Sequence, residues 1–119
     1  MRRTGPSKDT RYAVVTRSRG RCERCGRGGD FWLGQDIHHR KPRRMGGTRD
    51  PEINSTANLV LLCRACHDDV ESHRTQGAKD GWILSARQEP SMVPVNLNAF
   101  GPTLLTKDGG YIVTEDENG

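Results

Sequence analysis

Aromatic side chains are scarce in this chain, with two Trp, two Tyr and two Phe among 119 residues. Hydrophobic residues of every kind make up only 32%. A domain this small and polar has little with which to build a core, and usually needs a staple such as a structural metal. No apolar run approaches the roughly 20 residues of a membrane-spanning helix, which excludes that class. No apolar stretch follows Met1-Arg2-Arg3 either, so no secretory signal peptide is expected. Internal repeats are absent. The length suits one domain with a loose tail.

What the chain does have is four cysteines in two pairs, Cys22-x-x-Cys25 and Cys63-x-x-Cys66. Each pair is a short knuckle that can present two thiolates to one tetrahedral zinc. Two disulfides are the competing reading of an even cysteine count. Without a signal peptide, a reducing cytoplasm and metal-bound thiolates are favoured. Between and beside the knuckles lie His38, His39, Asn58 and His67, which a complete Cys₄ set does not need. They suggest a second, differently used site.

Charge is unevenly spread. Residues 1–50 hold 14 Lys/Arg against 5 Asp/Glu, and residues 51–119 hold 5 against 10, for a net +4. The basic half carries the first knuckle and the His pair, so a polyanion such as DNA or RNA is the natural partner. A merely solvated basic surface is the plainer alternative.

A coarse pass along the chain places a short helix from Asp9 or Thr10, as cap, to about Arg19. Tyr12, Val15 and Val14 form its apolar face and Gly20 its stop. Residues 1–8 and 115–119 read as disordered. A strand is expected around Gln35–His39. Pro42 and Gly46-Gly47 then force a long polar loop to about Ala57. Leu59–Leu62 reads as a buried strand that enters the second knuckle, followed by a helix from near Ala65 to Gly77. Trp82-Ile83-Leu84 suggests another strand. Beyond Pro90, short strands are expected at Val93–Val95, Thr103–Leu105 and Tyr111–Thr114, the last two joined by a turn at Asp108-Gly109-Gly110. Tyr12, Trp32 and Trp82 read as core residues.

Strand, loop, strand and helix closed on a metal make a ββα unit. Here the chain resembles the HNH endonuclease family, the ββα-metal nucleases. The matching stretches are Cys22-Glu23-Arg24-Cys25, Asp36-Ile37-His38-His39-Arg40-Lys41-Pro42, Gly46-Gly47, Asn58–Cys63 and Cys66-His67. The segment Val70–Val95 is similar to small HNH proteins of phages and actinobacteria. The resemblance implies an α+β fold: a small zinc-stapled ββα-metal (His-Me finger) domain over residues 9–78, with an N-terminal helix. A short β-rich extension would cover residues 79–114.

By the same resemblance, Cys22, Cys25, Cys63 and Cys66 hold a structural Zn²⁺. His38 and His67 would ligate a catalytic divalent ion, Mg²⁺, Mn²⁺, Ni²⁺ or Zn²⁺. His39 would be the general base, and Asn58 would tie down the loop that carries it. Adjacent strand residues point to opposite faces, so His38 and His39 cannot share one task. An imidazole with an ordinary pKa near 6.5 suits a base at about pH 7. For a third ligand, Glu71 stands one helical turn after His67, while His73 is rotated well away. Glu71 is the candidate, against the usual fate of a solvated carboxylate. Asp36 reads as an outer partner of His38 or as an exposed strand-end acid.

Arg40, Lys41, Arg43 and Arg44 follow the base and are expected to contact phosphates. The expected function is hydrolysis of DNA phosphodiester bonds, by nicking or double-strand cleavage. The alternative is a catalytically idle zinc module that binds nucleic acid or a protein. Packaging, restriction and homing would all suit a small HNH protein. The phage likeness points to packaging beside a terminase, in a bacterial or infected-host cytoplasm, by a monomer or weak dimer.

Overall fold

In the computed structural model of the protein, residues 5–28, 34–42 and 52–114 are described. Helix α1 (Lys8–Ser18) is capped by Ser7, whose hydroxyl accepts the Thr10 amide at 3.1 Å. Asp9 and Thr10, the expected caps, lie inside the first turn instead. The extended backbone of Ser7 lets its side chain fold back onto that turn. The helix therefore begins within the stretch expected to lack order. It ends as Arg19 turns left-handed at φ 58° and the Gly20 N–H closes on Val15 O at 2.9 Å.

Val14 is the apolar side chain that α1 buries, against Leu59 and Leu61. Tyr12, expected in the core, is 73% exposed. Two residues from Val14 is about 200° round a helix, so the two cannot share a face.

Strands β1 (Gln35–His39) and β2 (Leu59–Cys63) pair antiparallel, with His38 opposite Val60 and His39 opposite Leu59. A 3₁₀ turn at Thr56–Asn58 leads into β2. Every residue of β2 is buried: Leu59 and Leu61 face α1, while Val60 and Leu62 join the main core. Helix α2 (Arg64–Ser72) follows with no intervening loop, and Cys63 Sγ caps it by accepting the Cys66 amide at 3.5 Å. The expected single helix to Gly77 is broken at His73 (φ −126°, ψ 63°), and a separate helix, α3 (Arg74–Lys79), follows. The break brings Gly77 against Val70 and Ile83, where an added Cβ would meet Ile83 Cδ1 at 3.0 Å.

Trp82-Ile83-Leu84 forms no strand. Its amides at Trp82 and Leu84 donate to Gly77 O and Arg40 O, which lie in no neighbouring ladder. After a second 3₁₀ turn at Pro90–Met92, β3 (Val95–Leu97), β4 (Gly101–Leu105) and β5 (Tyr111–Val113) build an antiparallel sheet in that order. The main core is continuous from Cys22, Val60, Leu62 and Val70 to Trp82, Val95, Leu97 and Leu105. Trp82 is buried as expected; Trp32 lies outside the described residues. Among the described residues no helix is long and apolar enough to cross a membrane.

Two buried cations hold these pieces together. Arg40, expected at the phosphate-binding surface, is fully buried. Its guanidinium donates to Gly81 O, Ala57 O, Pro90 O and Val93 O at 2.7–2.9 Å. Four carbonyl dipoles replace its hydration, so it cannot reach a phosphate. Burial, with a smaller contribution from Arg17, brings its pKa down to about 10, still cationic at neutral pH. Gly81 has to be glycine: at φ 87° an added Cβ would fall 2.2 Å from Pro94 O. The second cation, Arg17, makes a two-point pair with Glu23 at 2.9 and 3.0 Å and donates to Thr56 O and Leu59 O. Tyr111 Oη donates to the same carboxylate at 2.5 Å. Burial, then the Glu23 charge, push the Tyr111 hydroxyl pKa up.

Candidate active site

The first knuckle is built by backbone. Cys22 N–H donates to Arg27 O, and Gly26 N–H to Cys22 O, at 2.7 and 2.8 Å. Gly26 adopts φ 85°, and a side chain there would strike Asn98. The second knuckle is the junction of β2 and α2. All four sulfurs lie within 4.8 Å of one another, and none is in a disulfide. Cys25 Sγ and Cys63 Sγ are 3.9 Å apart. Bonds of 2.3 Å to a tetrahedral zinc would set its edge near 3.8 Å, so the four thiols fit that ion.

The four thiols do not share one environment. Burial pushes Cys66 up to about 12 and raises Cys22, unfavourable for bare thiolates. At Cys63 burial is outweighed by the Cys66 amide and neighbouring thiols, and the net shift is down. A bound cation supplies the charge that buried thiolates need.

A second cluster lies on the β1–α2 face. His38 Nδ1 and His67 Nε2 are 3.7 and 3.9 Å from Glu71 Oε2, and the three donors lie within 4.8 Å of one another. Each donor has an outer partner. His38 Nε2 bonds Trp82 O at 2.8 Å, His67 Nδ1 bonds Asp36 Oδ2 at 2.8 Å, and Glu71 Oε1 accepts Arg74 Nη1 at 2.6 Å. These contacts assign the N–H to the far nitrogen of each ring, leaving His38 Nδ1 and His67 Nε2 with lone pairs towards Glu71. Two imidazoles and a carboxylate suit a divalent transition metal, and the oxygen extends the range to Mg²⁺ and Mn²⁺. Burial pushes the His38 pKa down, which favours the neutral, ligating form. Asp36 is thus a partner of His67 rather than of His38, because His67 projects from α2 back over the start of β1.

His39 points to the other side of β1 and is half-buried. Its Nε2 bonds Asn54 Oδ1 at 2.7 Å. Since the amide oxygen only accepts, Nε2 carries the hydrogen and the ring's lone pair is on Nδ1. Asn58, fully buried, reads the backbone on both sides: Oδ1 accepts the Lys41 amide at 2.8 Å, and Nδ2 donates to Lys41 O and Ile53 O at 3.0 and 2.9 Å. One side chain therefore fixes the segment after His39 against the turn that carries Asn54. Asn54 sits in a polar loop with no motif around it, and sequence reasoning passed over it. His73 is exposed and faces Asp69, away from the cluster. Lys41 is half-buried, while Arg43, Arg44 and Gly46-Gly47 lie outside the described residues.

Compared with known proteins, residues 22–73 match the HNH endonuclease family. The match covers 52 of the 119 residues. No curated protein and no solved structure matches the chain. The HNH segment contains both knuckles, the cluster of His38, His67 and Glu71, and the His39–Asn54–Asn58 arrangement. The family's members are metal-using nucleases, and the Cys₄ cluster marks this domain as a zinc-binding one.

Proposed function

We propose that this protein is a metal-dependent endonuclease that hydrolyses phosphodiester bonds in DNA. The observation that carries this reading is the convergence of His38 Nδ1, His67 Nε2 and Glu71 Oε2 on one point, beside a histidine with its tautomer set by Asn54. A divalent ion held by those three donors would neutralise charge on a non-bridging oxygen and assist the departing 3′ oxygen. His39 accepts the proton of the attacking water at Nδ1. Asn54 keeps that ring from rotating, and Asn58 holds the two backbone segments that position them. The zinc knuckle fixes the start of α2 and so orients His67, one residue beyond Cys66. Lys41, with Arg43 and Arg44, holds the flanking phosphates.

A single centre of this kind cuts one strand per visit, so a double-strand break needs two visits, a second copy or a partner. The likeness of Val70–Val95 to small phage proteins supports genome packaging beside a terminase as the setting.

The test is conversion of supercoiled plasmid by wild type and His39→Ala in Mg²⁺, Mn²⁺ or Ni²⁺, with a metal-free control. Metal-dependent nicking by wild type that is lost in the variant is expected. Equal cutting by both proteins would move the base to another residue. No cutting with any metal would favour a catalytically idle zinc module.

A further inference from the structure

A groove of about 640 Å³ opens between the C-terminal end of α1, the first knuckle and the β3–β4 turn. Arg19, Arg21, Leu97, Asn98, Phe100 and Tyr111 are among its walls. It shares no residue with the cluster of His38, His67 and Glu71. We propose that this groove binds a single strand of nucleic acid, with phosphates on Arg19 and Arg21 and one unpaired base on the ring of Phe100.

The aromatic wall is preset. Phe100 is 49% exposed, yet its ring meets Tyr111 edge-to-face at 5.5 Å. Tyr111 is in turn fixed by its bond to Glu23 and by the Arg17 guanidinium, 5.5 Å from its ring centre. The turn that carries Phe100 is latched to the knuckle by Asn98 N–H donating to Glu23 O at 2.9 Å. A large ring held open to solvent on a rigid support is a stacking platform, and stacking accepts any base.

The charge left without an ionic partner on this wall is positive. Glu23 is the acid in the wall, and both its oxygens are engaged by Arg17, Tyr111 and the Leu61 amide. Among the described residues neither Arg19 nor Arg21 has a carboxylate partner; Arg21 donates to Gly26 O alone. Arg19 is also the one non-glycine residue of the described chain with positive φ. Glycine would suit that helix end without strain, so the fold accepts a cost to put a guanidinium on this rim. Stacking on Phe100 requires a base outside a duplex, which selects a single strand over a double one.

The inference takes the polymer's identity from the nuclease reading, and the two can fail separately. Full-length protein carrying His39→Ala, to stop cleavage, is titrated against a short fluorescein-labelled DNA strand and against its duplex. The single strand should bind more tightly. Arg19→Gly should weaken binding about fivefold and reduce the salt slope by about 0.7, with a melting temperature that holds or rises because glycine fits φ 58°. Phe100→Leu should weaken binding about tenfold. Wild-type-like binding by both variants would overturn the groove while leaving the nuclease reading intact. A protein that binds neither strand nor duplex would sink both. A poly-glutamate peptide that binds as tightly as the strand, indifferent to Phe100→Leu, would assign the groove to acidic protein segments instead.

Discussion

Asn54 Oδ1 and His39 Nε2 stand 2.7 Å apart, joining a loop residue to the histidine at the end of β1. Asn54→Leu keeps the size of the side chain and removes the acceptor, so the imidazole loses both its fixed tautomer and its orientation. Plasmid nicking should fall roughly 10- to 100-fold in kcat with KM little changed, a part of what a general base contributes. Nitrogen-15 shifts of the His39 ring should show mixed tautomers in the variant. An unaltered ring signature with unaltered kcat would remove Asn54 from the site.

Asp36 should tune the affinity of the neighbouring metal centre through His67. Asp36→Ala leaves His67 Nδ1 without its carboxylate, and outer partners of this kind are worth about 10- to 100-fold in metal affinity. Calorimetric titration with Mn²⁺, on protein with its zinc retained, should record that loss. Affinity equal to wild type would show that the Asp36–His67 bond does not tune the site.

Cys63→Ser takes one sulfur out of the Cys₄ cluster, the same sulfur that caps α2. Because zinc binding is part of the folding free energy of such domains, the variant should lose its zinc and its cooperative melting transition. Metal content by mass spectrometry and a calorimetric scan are the measurements. A normal transition with no zinc bound would contradict a structural role for the metal.

Arg40→Met should destabilise the fold by about 3–5 kcal/mol in urea titration. The substitution leaves four carbonyls at Ala57, Gly81, Pro90 and Val93 without their donor. Arg40→Lys should recover little, since an ammonium cannot match four acceptors arranged around a planar fork. Near-native stability of the Met variant would mean that these carbonyls find other donors.

The chemistry was easier to read from the chain than the packing. Cysteine spacing announces a tetrahedral site because a knuckle is local, closed within four residues. The opposed faces of His38 and His39 follow from strand alternation, equally local. Arg40 defeated this kind of reading: it sits in a basic run that looks like surface, and its acceptors lie 17–53 residues away. Trp82-Ile83-Leu84 has the composition of a strand, yet its place is set by contacts with Arg40 and Gly77 instead of a sheet. Tyr12 and Val14 both suit a helix face, and only the position of β2 decides between them. Asp36 reads from the sequence as a partner of His38 or an exposed acid, and only the placement of α2 gives it to His67.

The buried guanidinium of Arg40 also makes the chain a mechanical linkage. Its backbone is adjacent to His39, and its side chain grips Pro90 and Val93, in the segment that feeds the second sheet. A pull on that segment reaches the residue beside His39 through one side chain held by four hydrogen bonds. The turn that leads into the C-terminal sheet and the strand that carries both histidines are therefore tied to each other, and a displacement of one is felt by the other.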